Sequence, residues 1–129
     1  FQEIEKLIKF RLSKLNIMYF NIESRNNSTV IQIQSEKLDT HIAPALKSEL
    51  VLVSGKGEKN IILDLIKCQY CDSSGLSAIL VANRLCKNAG GTFVLCGLNE
   101  AVERLITISQ LDTVLTITGS VEDAEKMIS

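Results

Sequence analysis

Residues 61–76 read IILDLIKCQYCDSSGL. Ile61 to Ile66 is a short, nearly continuous apolar run rich in branched residues, the sign of a strand covered on both faces and therefore central in its sheet. A loop from Lys67 to Cys71 follows it. Asp72-Ser73-Ser74-Gly75 then opens a helix in which Leu76, Ile79, Leu80, Asn83 and Cys86 recur at helical spacing, and Gly90-Gly91 stops it. A buried strand, a short loop and a helix in this order make the repeating unit of a parallel sheet with right-handed crossovers.

The flanking sequence extends the same pattern. Thr92 to Cys96 reads as a strand, Asn99 caps a helix through Ser109 with Val102, Leu105 and Ile106 inward, and Val114 to Ile117 reads as a last strand. Ser120 with Asp123 makes a capping-box-like start to a final helix. Upstream, Tyr19–Glu23 and Thr29–Gln34 flank a turn at Asn26-Asn27-Ser28, and Gln32 and Gln34 alternate with Ile31 and Ile33, so a hairpin is expected. Asp39 or Thr40 is the expected cap of a helix that buries Ala43, Leu46, Leu50 and Val53, tolerates Pro44 in its first turn and ends at Gly55-Lys56-Gly57. The fold class is therefore α/β, with a mixed β-sheet that opens on a β-hairpin and is flanked by α-helices. Residues 1–17 place Ile4, Leu7, Ile8, Leu12 and Leu15 at helical spacing, with Glu3, Lys6, Lys9 and Lys14 largely opposite. They read as an amphipathic helical extension of a domain spanning 18–129. Packing on its own domain, linking, surface binding and a homodimer contact are the uses open to it.

Composition narrows the function. At 129 residues, 46% hydrophobic and 22% charged, the chain is the size of one domain with a core of its own. A net charge of -1 and a pI near 5.9 argue against affinity for nucleic acid built on phosphate neutralisation. No apolar run nears the roughly 20 residues that span a bilayer, and no signal-peptide pattern opens the chain, so no transmembrane segment and a cytoplasmic location are expected. Cys68, Cys71, Cys86 and Cys96 are then expected as reduced thiols. Cys68-Gln69-Tyr70-Cys71 has redox or zinc spacing, but no second pair follows it and Cys86 and Cys96 fall in apolar segments, so no metal and no cofactor are expected.

In a parallel α/β sheet, the turn from a central strand into a helix N-terminus is where sites gather. Free N–H groups and the helix dipole there favour an anion, and Ser73 and Ser74 offer hydroxyls to a phosphoryl group; a plain helix cap is the simpler reading of the same four residues. A serine hydrolase would need a base, and His41 is the only histidine, with no G-x-S-x-G elbow present. Gly55-Lys56-Gly57 lacks the rest of a phosphate-binding loop. The chain thus reads as having no catalysis of its own.

Taken together, the central strand, Asp72-Ser73-Ser74-Gly75-Leu76, Gly90-Gly91, Val94-Leu95-Cys96, Asn99-Glu100-Ala101-Val102-Glu103-Arg104-Leu105 and Leu38-Asp39 resemble the STAS domain family, and within it the small stand-alone anti-sigma factor antagonists, over residues 18–129. The resemblance implies partner switching in bacteria. The unphosphorylated domain binds an anti-sigma factor that is also a serine kinase, the kinase phosphorylates the serine after the motif Asp, and a phosphatase resets it. By position that serine is Ser73, with Ser74 its neighbour and Asp39, Asp72 and Gly75 at the recognition surface. A STAS module of a larger transporter, lipid-transport or stress-sensor assembly is the alternative. The family usually has glycine where this chain has Ser35-Glu36-Lys37 and again where it has Gln110; if those positions need positive φ, each substitution costs about 1 kcal/mol.

Overall fold

A computed structural model describes residues 2–7 and 19–128. Residues 2–7 are helical, as the amphipathic pattern predicts for that stretch, and all six are exposed, Ile4 and Leu7 included; the rest of the expected extension lies outside the described residues. The domain runs β1 (Phe20–Ser24), β2 (Thr29–Ile33), β3 (Lys37–Leu38), α1 (Ala43–Gly55), β4 (Ile61–Asp64), β5 (Tyr70–Cys71), α2 (Ser73–Asn88), β6 (Phe93–Cys96), α3 (Glu100–Ile108), a 3-10 turn (Leu111–Thr113), β7 (Thr116–Thr118) and α4 (Val121–Lys126).

Five strands form the main sheet in the order β1-β2-β4-β6-β7, with β1 antiparallel to β2 and every other neighbour parallel. The strand predicted to be central is central. Because side chains alternate across a pleated strand, β2, β4 and β6 each feed two cores. Ile31, Ile33, Ile61, Leu63, Phe93 and Leu95 face a cluster closed by Leu46 and Leu50 of α1, Ala78, Ile79 and Ala82 of α2, and Val102 and Ile106 of α3. Val30, Ile62, Val94 and Cys96 face the other side, where Ala124 of α4 and Ile128 cover them. Each fully buried branched side chain contributes about 1.5–3 kcal/mol, so the first and larger cluster dominates the stability.

Four local expectations change. The strand at Ile61 ends at Asp64 instead of Ile66, because the Asp64 carboxylate accepts the Ile66 N–H at 3.0 Å and turns the chain out of the sheet, leaving Ile66 63% exposed. The last strand is Thr116–Thr118 instead of 114–117: Val114 N–H and Leu115 N–H both donate to the Leu111 carbonyl, at 3.0 and 2.9 Å, so the preceding residues stay in a turn. Neither Asp39 nor Thr40 caps α1 with its side chain; its N-cap is Ile42, and the Asp39 carboxylate instead accepts the His41 N–H at 3.0 Å while the Asp39 carbonyl takes the Ile42 and Ala43 N–H groups. The loop expected at Lys67–Cys71 contains β5, which pairs in parallel with β3.

The two glycine departures separate cleanly. Gln110 sits at φ 60°, ψ 20°, in the left-handed region that favours glycine, and it is the sole non-glycine residue with positive φ among those described. Ser35, Glu36 and Lys37 need no such geometry. One strained residue at about 1 kcal/mol is well within what a domain of this size absorbs.

Candidate functional site

The β3–β5 ladder assembles the site. Leu38 pairs with Cys71, so the residues that follow them, Asp39 and Asp72, leave the two strands side by side. The Gln69 and Tyr70 N–H groups donate to the Glu36 carbonyl at 2.7 and 3.0 Å, and the Asp72 N–H donates to the Leu38 carbonyl at 3.2 Å. These bonds tie two motifs separated by more than thirty residues into one surface.

Asp72 is the N-cap of α2, in extended backbone at φ -108°, ψ -172°; its Oδ1 accepts the Gly75 N–H at 3.0 Å and its carbonyl accepts the Leu76 N–H at 3.0 Å. That cap fixes the first turn, leaving Ser73 exposed, Ser74 half-buried and Gly75 buried. Asp39 and Asp72 are both half-buried. All five residues singled out from the sequence, Asp39, Asp72, Ser73, Ser74 and Gly75, thus stand around the start of α2. A groove of about 450 Å³ opens there, with Thr40, Ala43, Pro44 and Lys47 on one bank and Ser73, Ser74 and Ser77 on the other. The sequence reading missed the first bank. Its signal was the spacing of Ala43 or Pro44 and Lys47 along one side of α1, which marks a shared face without saying what lies opposite.

The His41 backbone is bonded to Asp39, and among the described residues no hydrogen bond joins its ring to a serine. The described residues contain no group of three or more His, Cys, Asp or Glu side chains placed to hold a metal. Nor do they contain a helix long and apolar enough to cross a membrane.

The four cysteines are free and buried. Cys68 Sγ donates to the Tyr70 carbonyl at 3.1 Å and Cys71 Sγ to the Asp72 carbonyl at 3.5 Å, which makes the CxxC pair part of the support beneath the α2 N-terminus. Burial pushes the Cys71 thiol up to about 12, with Cys68 and Asp72 adding to it. Burial does the same to Cys96, up to about 12 with help from Asp64, and to Cys86, up to about 11. These are packing thiols, poor nucleophiles at neutral pH.

A pH dependence follows from those shifts. An unfolded thiol ionises near pH 8.5, so above that the unfolded chain holds fewer protons than the folded one, and stability falls as pH rises toward 11–12. Each buried thiol contributes up to about 1.4 kcal/mol per pH unit in that window. Urea unfolding at pH 7, 9 and 10 is expected to show a midpoint that drops between the last two values. Replacing Cys86 and Cys96 together by alanine or serine would flatten the slope even though it lowers stability at pH 7. An unchanged slope in that variant would remove Cys86 and Cys96 as its cause.

The model for the STAS domain matches residues 19–124. The chain is 28% identical over 106 residues to the anti-sigma-B factor antagonist of Bacillus subtilis, covering 81% of this chain and 96% of that protein. It is 29% identical over 102 residues to the anti-sigma F factor antagonist of Paenibacillus polymyxa, covering 78% and 87% respectively. The crystal structure of an anti-sigma factor antagonist from Mycobacterium paratuberculosis shares the fold at a TM-score of 0.76 and 21% identity, over 84% of this chain and 92% of that one.

Proposed function

The chain belongs to the STAS domain family, and from that premise we propose that it is a bacterial anti-sigma factor antagonist, acting in the cytoplasm by binding an anti-sigma factor that is also a serine kinase. The observation that carries this reading is the exposed Ser73 hydroxyl at the first position of α2, with Asp72 capping the helix beside it and Asp39 brought alongside by the β3–β5 ladder. The kinase transfers the γ-phosphoryl group of ATP to Ser73 Oγ. The new O–P bond replaces the bond to the leaving ADP, and the hydroxyl proton goes to a base on the kinase. A phosphatase reverses the change by hydrolysis.

The switch is electrostatic. A phosphoserine carries about -1.5 to -2 charge, placed beside two half-buried carboxylates and needing a hydration shell that a packed interface strips away. The α2 dipole returns only about 0.3–1 kcal/mol, while loss of a tight complex needs several. Binding therefore fails at the interface, with no refolding of the domain. This reading gives the protein no catalytic activity of its own.

The direct test is to recover the partner kinase by pull-down, incubate it with the protein and ATP, and map the phosphate by peptide mass. The expected result is one phosphate, on Ser73. Phosphate confined to Ser74, or absent from residues 72–77, would overturn the assignment.

A further inference from the structure

Among the described residues, Lys47 is the sole charged side chain lining the groove that opens on Ser73, and the three serines of α2 line the opposite bank. It stands half-buried on α1, flanked by the fully buried Leu46 and one turn from the buried Ala43 and Leu50, so its stem is held at the groove wall. Among the described residues it makes no ion pair and no hydrogen bond. The negative groups nearby are committed: the Asp72 carboxylate accepts the Gly75 N–H and the Asp39 carboxylate accepts the His41 N–H. Neither can turn away from an anion added at Ser73 without giving up its bond.

We infer that Lys47 is the counter-charge for a phosphoryl group on Ser73, holding it as a dianion in the groove between α1 and α2. The inference rests on Ser73 being the modified residue. A lone phosphoserine has its second ionisation near pH 6, so at neutral pH its charge is still set by its neighbours. Asp39 and Asp72 push it toward the monoanion; Lys47 and the first-turn N–H groups of α2 push it toward the dianion. His41, exposed on the β3–α1 turn, is a further titratable group on that side, with the exposed Glu36 and Lys37 upstream of it at β3. With Lys47 in place the modified protein carries the full charge that blocks an interface, and the phosphate is drawn along the groove instead of outward into solvent.

The test installs phosphoserine at position 73 of the full chain during translation, so it needs no kinase, and follows the phosphorus resonance through a pH titration at low ionic strength. Lys47→Gln is expected to raise the proton affinity of the phosphate about threefold, an ordinary size for a partly exposed ion pair. Lys47→Arg is expected to restore the wild-type titration. Lys87→Gln, about 21 Å further along α2, is the control for net charge alone and should change the affinity less than 1.5-fold. Identical titrations for wild type and Lys47→Gln, or equal shifts in the two glutamine variants, would overturn the inference. Whether Ser73 is the natural target is read separately by the peptide mapping, so a failure there and a failure here are distinct.

Discussion

Ser73→Asp is expected to abolish binding to the anti-sigma kinase, while Ser73→Ala keeps it. Ser73 is exposed, and its hydroxyl carries none of the hydrogen bonds that hold the site together; the cap of α2 belongs to Asp72. Removing a surface hydroxyl costs no more than about 1 kcal/mol, whereas an unpaired carboxylate forced into an interface beside Asp72 costs several. The two affinities should therefore separate by at least roughly tenfold, with both variants folding alike by circular dichroism. Aspartate carries less charge than a phosphate, so the block should be weaker than that of true phosphorylation. Titration calorimetry decides it, and equal affinities would place Ser73 outside the interface.

Gly75→Ala is the second large effect, and here local propensity and tertiary packing predict opposite signs. Gly75 lies in the first turn of α2, where alanine gains about 1 kcal/mol in helix propensity. A Cβ at Gly75 would stand 2.4 Å from the Leu38 carbonyl oxygen, 2.6 Å from Cys71 Sγ and 2.9 Å from Leu38 Cγ. The first of these is backbone held in the β3–β5 pairing, so it cannot swing aside. Overpacking of this kind costs about 3 kcal/mol, and the net expectation is a loss of about 2 kcal/mol in urea unfolding. The strain falls on the contact that sets Asp39 beside Asp72, so partner affinity should fall with stability. A variant as stable as wild type would show that α2 can shift off β3 at little cost.

Much of the fold was legible because its determinants are short-range. The caps Asp72, Asn99 and Ser120 each accept an N–H from the residue three positions on, Gly75, Val102 and Asp123. Such a bond depends on residues adjacent in the chain and reads directly from their order. The central strand was legible for a related reason, since a segment buried on both faces is apolar along nearly its whole length, here Ile61 to Leu63 before the buried Asp64. The α1 cap was misread because Asp39 had two local uses, a side-chain cap or a turn with the His41 N–H, and sequence alone does not choose between bonds of similar energy.

The sequence by itself determined the alternation of strands and helices, the opening hairpin, the faces that become core, and the position of Ser73 at a helix start. These follow from periodicity and capping, which act over a few residues. Only the tertiary structure decided that Leu38 pairs with Cys71, that Gly75 must lack a side chain against Leu38, and that Lys47 faces the serines across a groove. A two-residue ladder has no periodicity to read, and the distance between two helices depends on how both pack against the sheet between them in the chain.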